Sequence, residues 1–348
     1  MPQFIYILGA VASAEVIPTV RDFSKEMFEF KPIGFAKGQE LNLYNKIVNS
    51  YAFQDAIKAQ EANNFMNLQI LNKLFHFAQK FETFGSPDIY AKHLFINNLI
   101  DDLKELKFYL SLFIQICEYL NRNGSPDQRY FEFVGQLCNN HSKMPSNVTT
   151  LSWNYDNQME LAQKKYFNNK EWGTSIAKES SKSNELKVFK INGGAFFNEN
   201  NTKKHLTTLL PQENSKMNMF VDLKQLFQKK DSLETGIMFS FEAESEVLSK
   251  ITERLNIDDE IYLTIIGYSF PVYNREIDSK ILHKLIEKNF LKRIFIQDPN
   301  YLEIQRKILG FFPDNSRKMI EGFCEHIQAS YGNLNQPFHI PMEFQPIY

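Results

Sequence analysis

Cysteine is scarce in this sequence. Its three, Cys117, Cys138 and Cys324, are far apart among 348 residues, so they support neither a disulfide framework nor a Cys-x-x-Cys metal site. A reducing, cytoplasmic compartment is the simplest reading. An excess of one charge is also missing. With 39 Lys and Arg against 41 Asp and Glu, the net charge is -2, which argues against a general nucleic-acid binder. Lys203-Lys204, Lys229-Lys230 and Lys292-Arg293 are only pairs. No stretch approaches 18 uncharged apolar residues, so no membrane-spanning helix is expected. The apolar run Phe4 to Val11, with Ala12-Ser13-Ala14 behind it, has the look of a secretory leader. No Lys or Arg precedes it, however, and it is short for that purpose. It reads better as a first strand ended by a small-residue turn.

Apolar residues are plentiful. They make up 43% of the chain, including 32 Phe and 15 Tyr, enough for a large core and too many for a disordered segment. Phe4 to Leu8 reads as a buried parallel strand. Between about 40 and 140 the period becomes helical: Phe65, Leu68, Leu71, Phe75 and Ala78 form one stripe. Leu99, Leu103, Leu106, Leu110, Phe113, Cys117 and Leu120 form another. These stripes suit helix packing or an oligomer interface. Gly-Ser-Pro-Asp occurs at 85–88 and 124–127, and each copy reads as a helix start with a Ser cap and Pro at the first helical position. Strands return at Val148 to Leu151, Leu186 to Ile191, Ile261 to Ile266 and Ile294 to Ile296, with helical stretches between them. Asn198 to Ser215 reads as a polar loop.

The expected fold is therefore α/β: a Rossmann-like parallel sheet with helices on both faces, interrupted by a large all-helical insertion. The expected boundaries are 1–39 and 146–310 for the α/β domain, 40–145 for the helical insertion, and 311–348 for a C-terminal helix and extended surface tail.

Four segments end strand-like runs, where open α/β sheets bind ligands. The first is Gly9-Ala10-Val11-Ala12-Ser13, continuing to Ile17-Pro18-Thr19-Val20-Arg21. Its small residues Gly9, Ala10, Ala12 and Ser13 suit close approach of a pyrophosphate to backbone N–H groups, or simply a tight turn. The second is Ser152-Trp153-Asn154-Tyr155-Asp156. There Asn154 can hold a ribose hydroxyl or a water, while Asp156 either orients it or caps the next helix. The third is Lys190-Ile191-Asn192-Gly193-Gly194, and the fourth is Ile265-Ile266-Gly267-Tyr268-Ser269-Phe270.

The ordered set, Gly-Ala-x-x-Ser with Ile-Pro-x-x-Arg, then Asn-x-Asp, then Asn-Gly-Gly, then Gly-x-Ser, resembles the Sir2 (sirtuin) superfamily. It is most similar to the Sir2-like domains of bacterial anti-phage defence proteins, over about 1–35 and 146–300. The resemblance implies NAD as substrate or ligand, with Gly9, Ala10, Ala12, Ser13, Pro18 and Arg21 on the phosphate and nicotinamide-ribose side. It implies Asn154 as catalytic, with Asp156 and Asn192 beside it. Trp153, Gly193, Gly267, Ser269 and Asp298 would complete the cofactor site, Gly267 and Ser269 toward the adenosine ribose and Asp298 able to bond ribose hydroxyls. The implied activity is NAD+ glycohydrolysis, giving nicotinamide and ADP-ribose, in defence against phage. The alternative is a degenerate module that binds NAD, ADP-ribose or a partner protein without turnover.

Departures from the family pattern keep that alternative open. Asn192 stands where the family has a catalytic His, and a carboxamide cannot take up a proton near neutral pH. Base catalysis worth roughly 10²–10⁴-fold is then absent from that position. Val11 replaces a glycine, and the first segment is one residue short before Ile17. His205 and His141 are the nearest substitute bases. The family's zinc module is absent, so no metal is expected and protein deacylation is disfavoured. A homo-oligomer or a defence-system partner protein fits the apolar stripes. Neither a membrane nor nucleic acid is an expected partner.

Overall fold

A computed structural model describes residues 2–14, 16–19, 22–28, 61–122, 125–141, 143–167, 187–199, 202–204, 230–242, 259–286, 290–329 and 336–348, with isolated positions between 249 and 255. Among them the strands are β1 (Gln3–Leu8), β2 (Val148–Ser152), β3 (Lys187–Lys190), β4 (Gly193–Glu199), β5 (Thr202–Lys204), β6 (Glu234–Ile237), β7 (Ile261–Ile266), β8 (Leu291–Gln297) and β9 (Cys324–Ile327). The α-helices are α1 (Phe23–Phe28), α2 (Glu61–Phe84), α3 (Pro87–Ile96), α4 (Ile100–Arg122), α5 (Gln128–Leu137), α6 (Gln158–Tyr166), α7 (Arg275–Ile286), α8 (Tyr301–Leu309) and α9 (Asp314–Phe323).

The chain divides into two compact units. The first comprises Met1–Glu15, Pro126–Gly194 and Met238–Tyr348; the second comprises Val16–Ser125 and Ala195–Ile237. The first unit is a Rossmann-like α/β structure. Its six strands form one parallel sheet in the order β3-β2-β1-β7-β8-β9. Counting only the strands of this sheet, the order is 3-2-1-4-5-6, which reverses between β1 and β7. The apolar run at residues 4–8 is the central strand β1, with Phe4 to Leu8 all buried, as a strand covered on both faces requires. The last strand, β9, follows α9 directly and was not anticipated.

Alternation along the strands sorts the core into two faces. Ile5, Ile7, Leu151, Leu263 and Ile265 pack with Ile277 and Ile281 of α7, Ile304 and Ile308 of α8 and Ile320 of α9. Phe4, Tyr6 and Leu8 point the other way. They pack with Tyr130, Phe133 and Val134 of α5, Met159 and Ala162 of α6, and Phe338 from the C-terminal segment. That segment, residues 336–348, was expected to lie extended on the surface. Instead it contributes Phe338, 4% exposed, to the core.

In the second unit α4 is the most enclosed helix described. Leu103, Leu106, Leu110 and Phe113 are buried as the stripe demands, but so are Phe108, Tyr109, Leu112, Ile114 and Ile116. Burial of Leu106 and Phe113 inside the unit makes that stripe a core face. Among its described members only the first, Leu99, is exposed, beside Ile96 and Ile100 at the α3–α4 turn. Glu105 accepts hydrogen bonds from Lys73 at 2.7 Å and Lys230 at 2.6 Å. Burial raises its carboxyl, yet the two lysines override that and hold it below the ordinary value.

The unit boundaries differ from those read in the sequence. The chain leaves the α/β unit after Glu15, not 39, and returns at Pro126, not 146. The cause is α5, whose Tyr130, Phe133, Val134 and Leu137 are buried against the sheet. The second unit also holds residues 195–237, so it combines helices with the small sheet β5-β4-β6. The polar stretch from Asn198 begins as a hairpin, with Asn198 opposite Lys203 and Glu199 opposite Thr202; 205–215 lies outside the described residues. Ser86 caps α3 by accepting from the Ile89 N–H, with Pro87 at the first turn. In the second copy Asp127, not Ser125, is the cap of α5. Its carboxylate accepts from the Arg129 N–H at 2.8 Å.

Candidate functional site

The first and fourth segments meet at the strand-order reversal. Gly9 follows β1 and Gly267 follows β7, neighbours in the sheet. A Cβ on Gly9 would lie 2.5 Å from the Tyr268 Cα and 2.6 Å from the Gly267 carbonyl oxygen. A Cβ on Gly267, whose φ is +60°, would lie 2.6 Å from the Val11 Cβ and 2.7 Å from the Ala12 nitrogen. Each glycine is therefore required by the opposite loop, since only a residue without a side chain permits such backbone approach. Val11 occupies the space that Gly267 leaves open.

Residues Ala10–Ser13 form one turn of 3-10 helix. Several of its donors are spent internally. The Gly9 N–H bonds the Ile266 carbonyl at 3.0 Å, Val11 bonds Gly267 at 3.2 Å, Ala12 bonds Gly9 at 2.9 Å and Ala14 bonds Val11 at 3.4 Å. These four N–H groups are not directed at a phosphate in this conformation. The loop is held together first and exposed to ligand second.

Asn154 joins the pair. It follows β2, is 7% exposed, and its Nδ2 donates to the Gly9 carbonyl at 2.9 Å and the Ser13 Oγ at 3.1 Å. A carbonyl can only accept, so the amide nitrogen must face Gly9. Both its protons are committed to the first loop, and Oδ1 is the part of the side chain left for a ligand. Asp156, also buried, accepts the Gln158 N–H at 3.1 Å at the start of α6. Its carbonyl receives the Lys190 ammonium from β3.

Asn192 lies in the turn between β3 and β4 and is 4% exposed. Its Nδ2 donates to the Trp153 carbonyl at 3.3 Å, and its own carbonyl accepts from the Met238 N–H. Its Oδ1 is buried without a hydrogen-bond partner. Such an atom carries a desolvation penalty of about 1–3 kcal/mol unless a ligand or water supplies a proton. Gly193, just after it, opens β4 with φ +67°.

Other sequence-selected residues fall differently. Trp153 belongs to the aliphatic-face core and stacks on Tyr268, ring centroids 5.3 Å apart and planes nearly parallel. It braces the second and fourth segments against each other. Ser269 is exposed, its carbonyl taking the Lys307 ammonium at 2.9 Å. Asp298 follows β8, is buried and caps its own turn through the Asn300 N–H. Burial pushes its carboxyl up, the Asn300 N–H opposing. Pro18 belongs to the second unit. Arg21 and His205 lie outside the described residues. His141 is exposed, on a turn organised by Asn139.

Sequence reasoning missed the first turn of α5. Arg129 pairs with Asp127 at 2.9 Å, and its Nη2 also donates to the Ala12 carbonyl at 2.8 Å. The Tyr130 hydroxyl shares a 2.7 Å hydrogen bond with Ser13 and lies 3.5 Å from the Asn154 Nδ2. The Asp127 N–H donates to Gln158 at the start of α6. All these groups are buried. The only signal in the sequence was the Gly-Ser-Pro-Asp helix start, which says where α5 begins but nothing about a contact 117 residues away.

Beneath Tyr268 lies a second polar cluster. Both Asp278 carboxylate oxygens are within 3.0 Å of the Tyr268 hydroxyl, and the Asn274 Nδ2 donates to that same hydroxyl. Burial pushes the Asp278 carboxyl up to about 8, with the Tyr268 hydrogen bond opposing the shift. Among the described residues no group of three or more His, Cys, Asp or Glu side chains is placed to hold a metal ion. No described helix is long and apolar enough to cross a membrane.

Fold and loop geometry define a doubly wound α/β unit whose strand-end loops interlock at the reversal point. No protein-family model matches the chain, and no curated protein matches its sequence.

Proposed function

We propose that the α/β unit is a Sir2-like module that binds NAD+ at the carboxyl edge of its sheet and hydrolyses it to nicotinamide and ADP-ribose. The observation that carries this reading is the convergence of Gly9, Ser13, Asn154 and Gly267 where the strand order reverses, the place where doubly wound sheets receive nucleotides. Asn154 Oδ1 and Asn192 Oδ1 are the acceptors on offer, and ribose hydroxyls or an attacking water are the donors that suit them. Neither carboxamide removes a proton. The reaction therefore runs by dissociative cleavage of the glycosidic bond: nicotinamide leaves neutral, water adds to the oxocarbenium-like ribose, and one proton is released. Oriented dipoles stabilise that cation, and Asp156 orients Asn154's loop through its cap on α6. The resemblance adds phage defence as the setting.

The test is mass spectrometry of protein incubated with NAD+, beside Asn154→Ala. Nicotinamide and ADP-ribose are expected from the parent alone. The variant should lose about 1 kcal/mol of stability, because Gly9 and Ser13 lose a donor, and remain folded. Full activity in Asn154→Ala, or a parent that neither binds nor consumes NAD+, overturns the reading.

The second reading, a module that binds the nucleotide without turnover, is favoured by Asn192 at the family's His position and by the internally bonded first loop. Intact nucleotide retained by the parent is its mark.

A further inference from the structure

We propose that Tyr130 is a positioning residue for the Asn154 site, acting through its hydroxyl on Ser13 and Asn154; its catalytic consequence rests on the NAD+ reading above. Three observations on the α5 side of the sheet support it. First, the Tyr130 hydroxyl closes a small ring of polar groups, 2.7 Å from the Ser13 Oγ and 3.5 Å from the Asn154 Nδ2, while that nitrogen reaches Ser13 at 3.1 Å and Gly9 at 2.9 Å. The rotamer of Asn154, and hence the direction of its Oδ1, is fixed by this ring and not by its own strand.

Second, the ring of Tyr130 is itself immobilised. Phe338 meets it edge-on with centroids 4.9 Å apart and also meets Phe133, at 5.7 Å. Phe338 is held in place from the sheet: Gln297 at the end of β8 donates to the Pro337 carbonyl at 2.8 Å and accepts from the His339 N–H at 2.9 Å. Third, the next residue back, Arg129, clamps the Ala12 carbonyl of the same loop. Two consecutive side chains of α5 thus fix two consecutive residues of the first loop. Side chains locked by packing on one side and bonded on the other hold a reacting geometry closely.

Tyr130→Phe removes the hydroxyl and keeps the ring that packs on Phe133 and Phe338. Hydrogen–deuterium exchange of parent and variant, read in peptides covering 8–14 and 152–157, is combined with NAD+ turnover. Faster exchange confined to those two peptides is expected, with β7 and β8 unchanged. Where the parent turns NAD+ over, kcat should fall roughly tenfold with little change in KM, the pattern of lost positioning. Phe338→Leu should reproduce the exchange change more weakly. Unchanged exchange in both peptides overturns the proposal, and so does acceleration spread evenly through the sheet, which would make Tyr130 an ordinary core residue. Localised acceleration in a protein that neither binds nor consumes NAD+ keeps the positioning role and removes the NAD+ reading.

Discussion

The two faces of the six-stranded sheet are closed by different kinds of chain. On one, Ile5, Ile7, Leu263 and Ile265 meet Ile277, Ile281, Ile304, Ile308 and Ile320. These come from α7, α8 and α9, each next to a strand it covers. On the other, Phe4, Tyr6 and Leu8 meet α6, which follows β2 directly, together with α5 and residues 336–348, which lie far along the chain from β1. On the first face the side-chain bonds to backbone, Lys307 to Ser269, Arg275 to Gly310 and Arg317 to Leu309 and Phe312, stay among α7, α8, α9 and the loops beside them. The second is pinned by side chains that bond backbone. Arg129 holds Ala12, and Gln297 holds residues 337 and 339. Asn147 donates to the carbonyls of Pro2 and Gln345 and accepts from the Ile347 N–H. Segments tethered by short connections carry a smaller closure entropy than distant ones, and the bonds of the second face reach as far as 200 residues along the chain.

Breaking the second face should have the largest effect. Arg129→Met leaves the Asp127 carboxylate buried without its partner, an expected loss of about 3–5 kcal/mol by urea unfolding. Adding Asp127→Leu to that variant should recover much of it; a double variant as unstable as the single would mean that capping of α5, not the charge pair, is what Asp127 supplies. On the aliphatic face, Ile265→Ala should cost about 3 kcal/mol through the cavity it opens. Exchange at 8–14 should stay as in the parent, because no polar contact is touched. Strong coupling between Ile265→Ala and Arg129→Met would show that the faces are not independent.

Asp278, a buried acid of the aliphatic face, gives the most selective effect. Its carboxyl rises from 3.8 to about 8, so between those values the folded protein keeps a proton that the unfolded chain releases. Stability must then decline as pH rises across that window. Asp278→Asn cannot ionise, so its melting temperature should fall less than the parent's between pH 5 and 8. Parallel pH profiles would contradict the assignment.

Much of the fold was legible because it is local. Apolar runs ended by Gly9, Asn154 or Gly267 name parallel strands, and a period of three to four residues names the helices. The stripe from Leu103 to Phe113 was visible in the same way, although the burial of Phe108, Tyr109 and Ile114 on its other sides was not. Unit boundaries were misplaced at 39 and 145 because α5 reads as one more helix of the insertion. Nothing in its own period says which core receives it. Strand β9 escaped notice because Cys324–Ile327 is half-exposed and carries Glu325 and His326, a weak signal for an edge strand.

By itself the sequence determined the α/β alternation, the positions of the strand-end segments and the chemistry of their side chains, since these follow from spacing and residue type. Only the tertiary structure decided that Gly9 and Gly267 exist for each other, that Asn154 offers an acceptor and not a donor, and that Arg129 and Tyr130 bond the first loop while Phe338 packs on Tyr130. Those properties arise from contacts between residues more than a hundred positions apart. No local pattern encodes a distance of that kind.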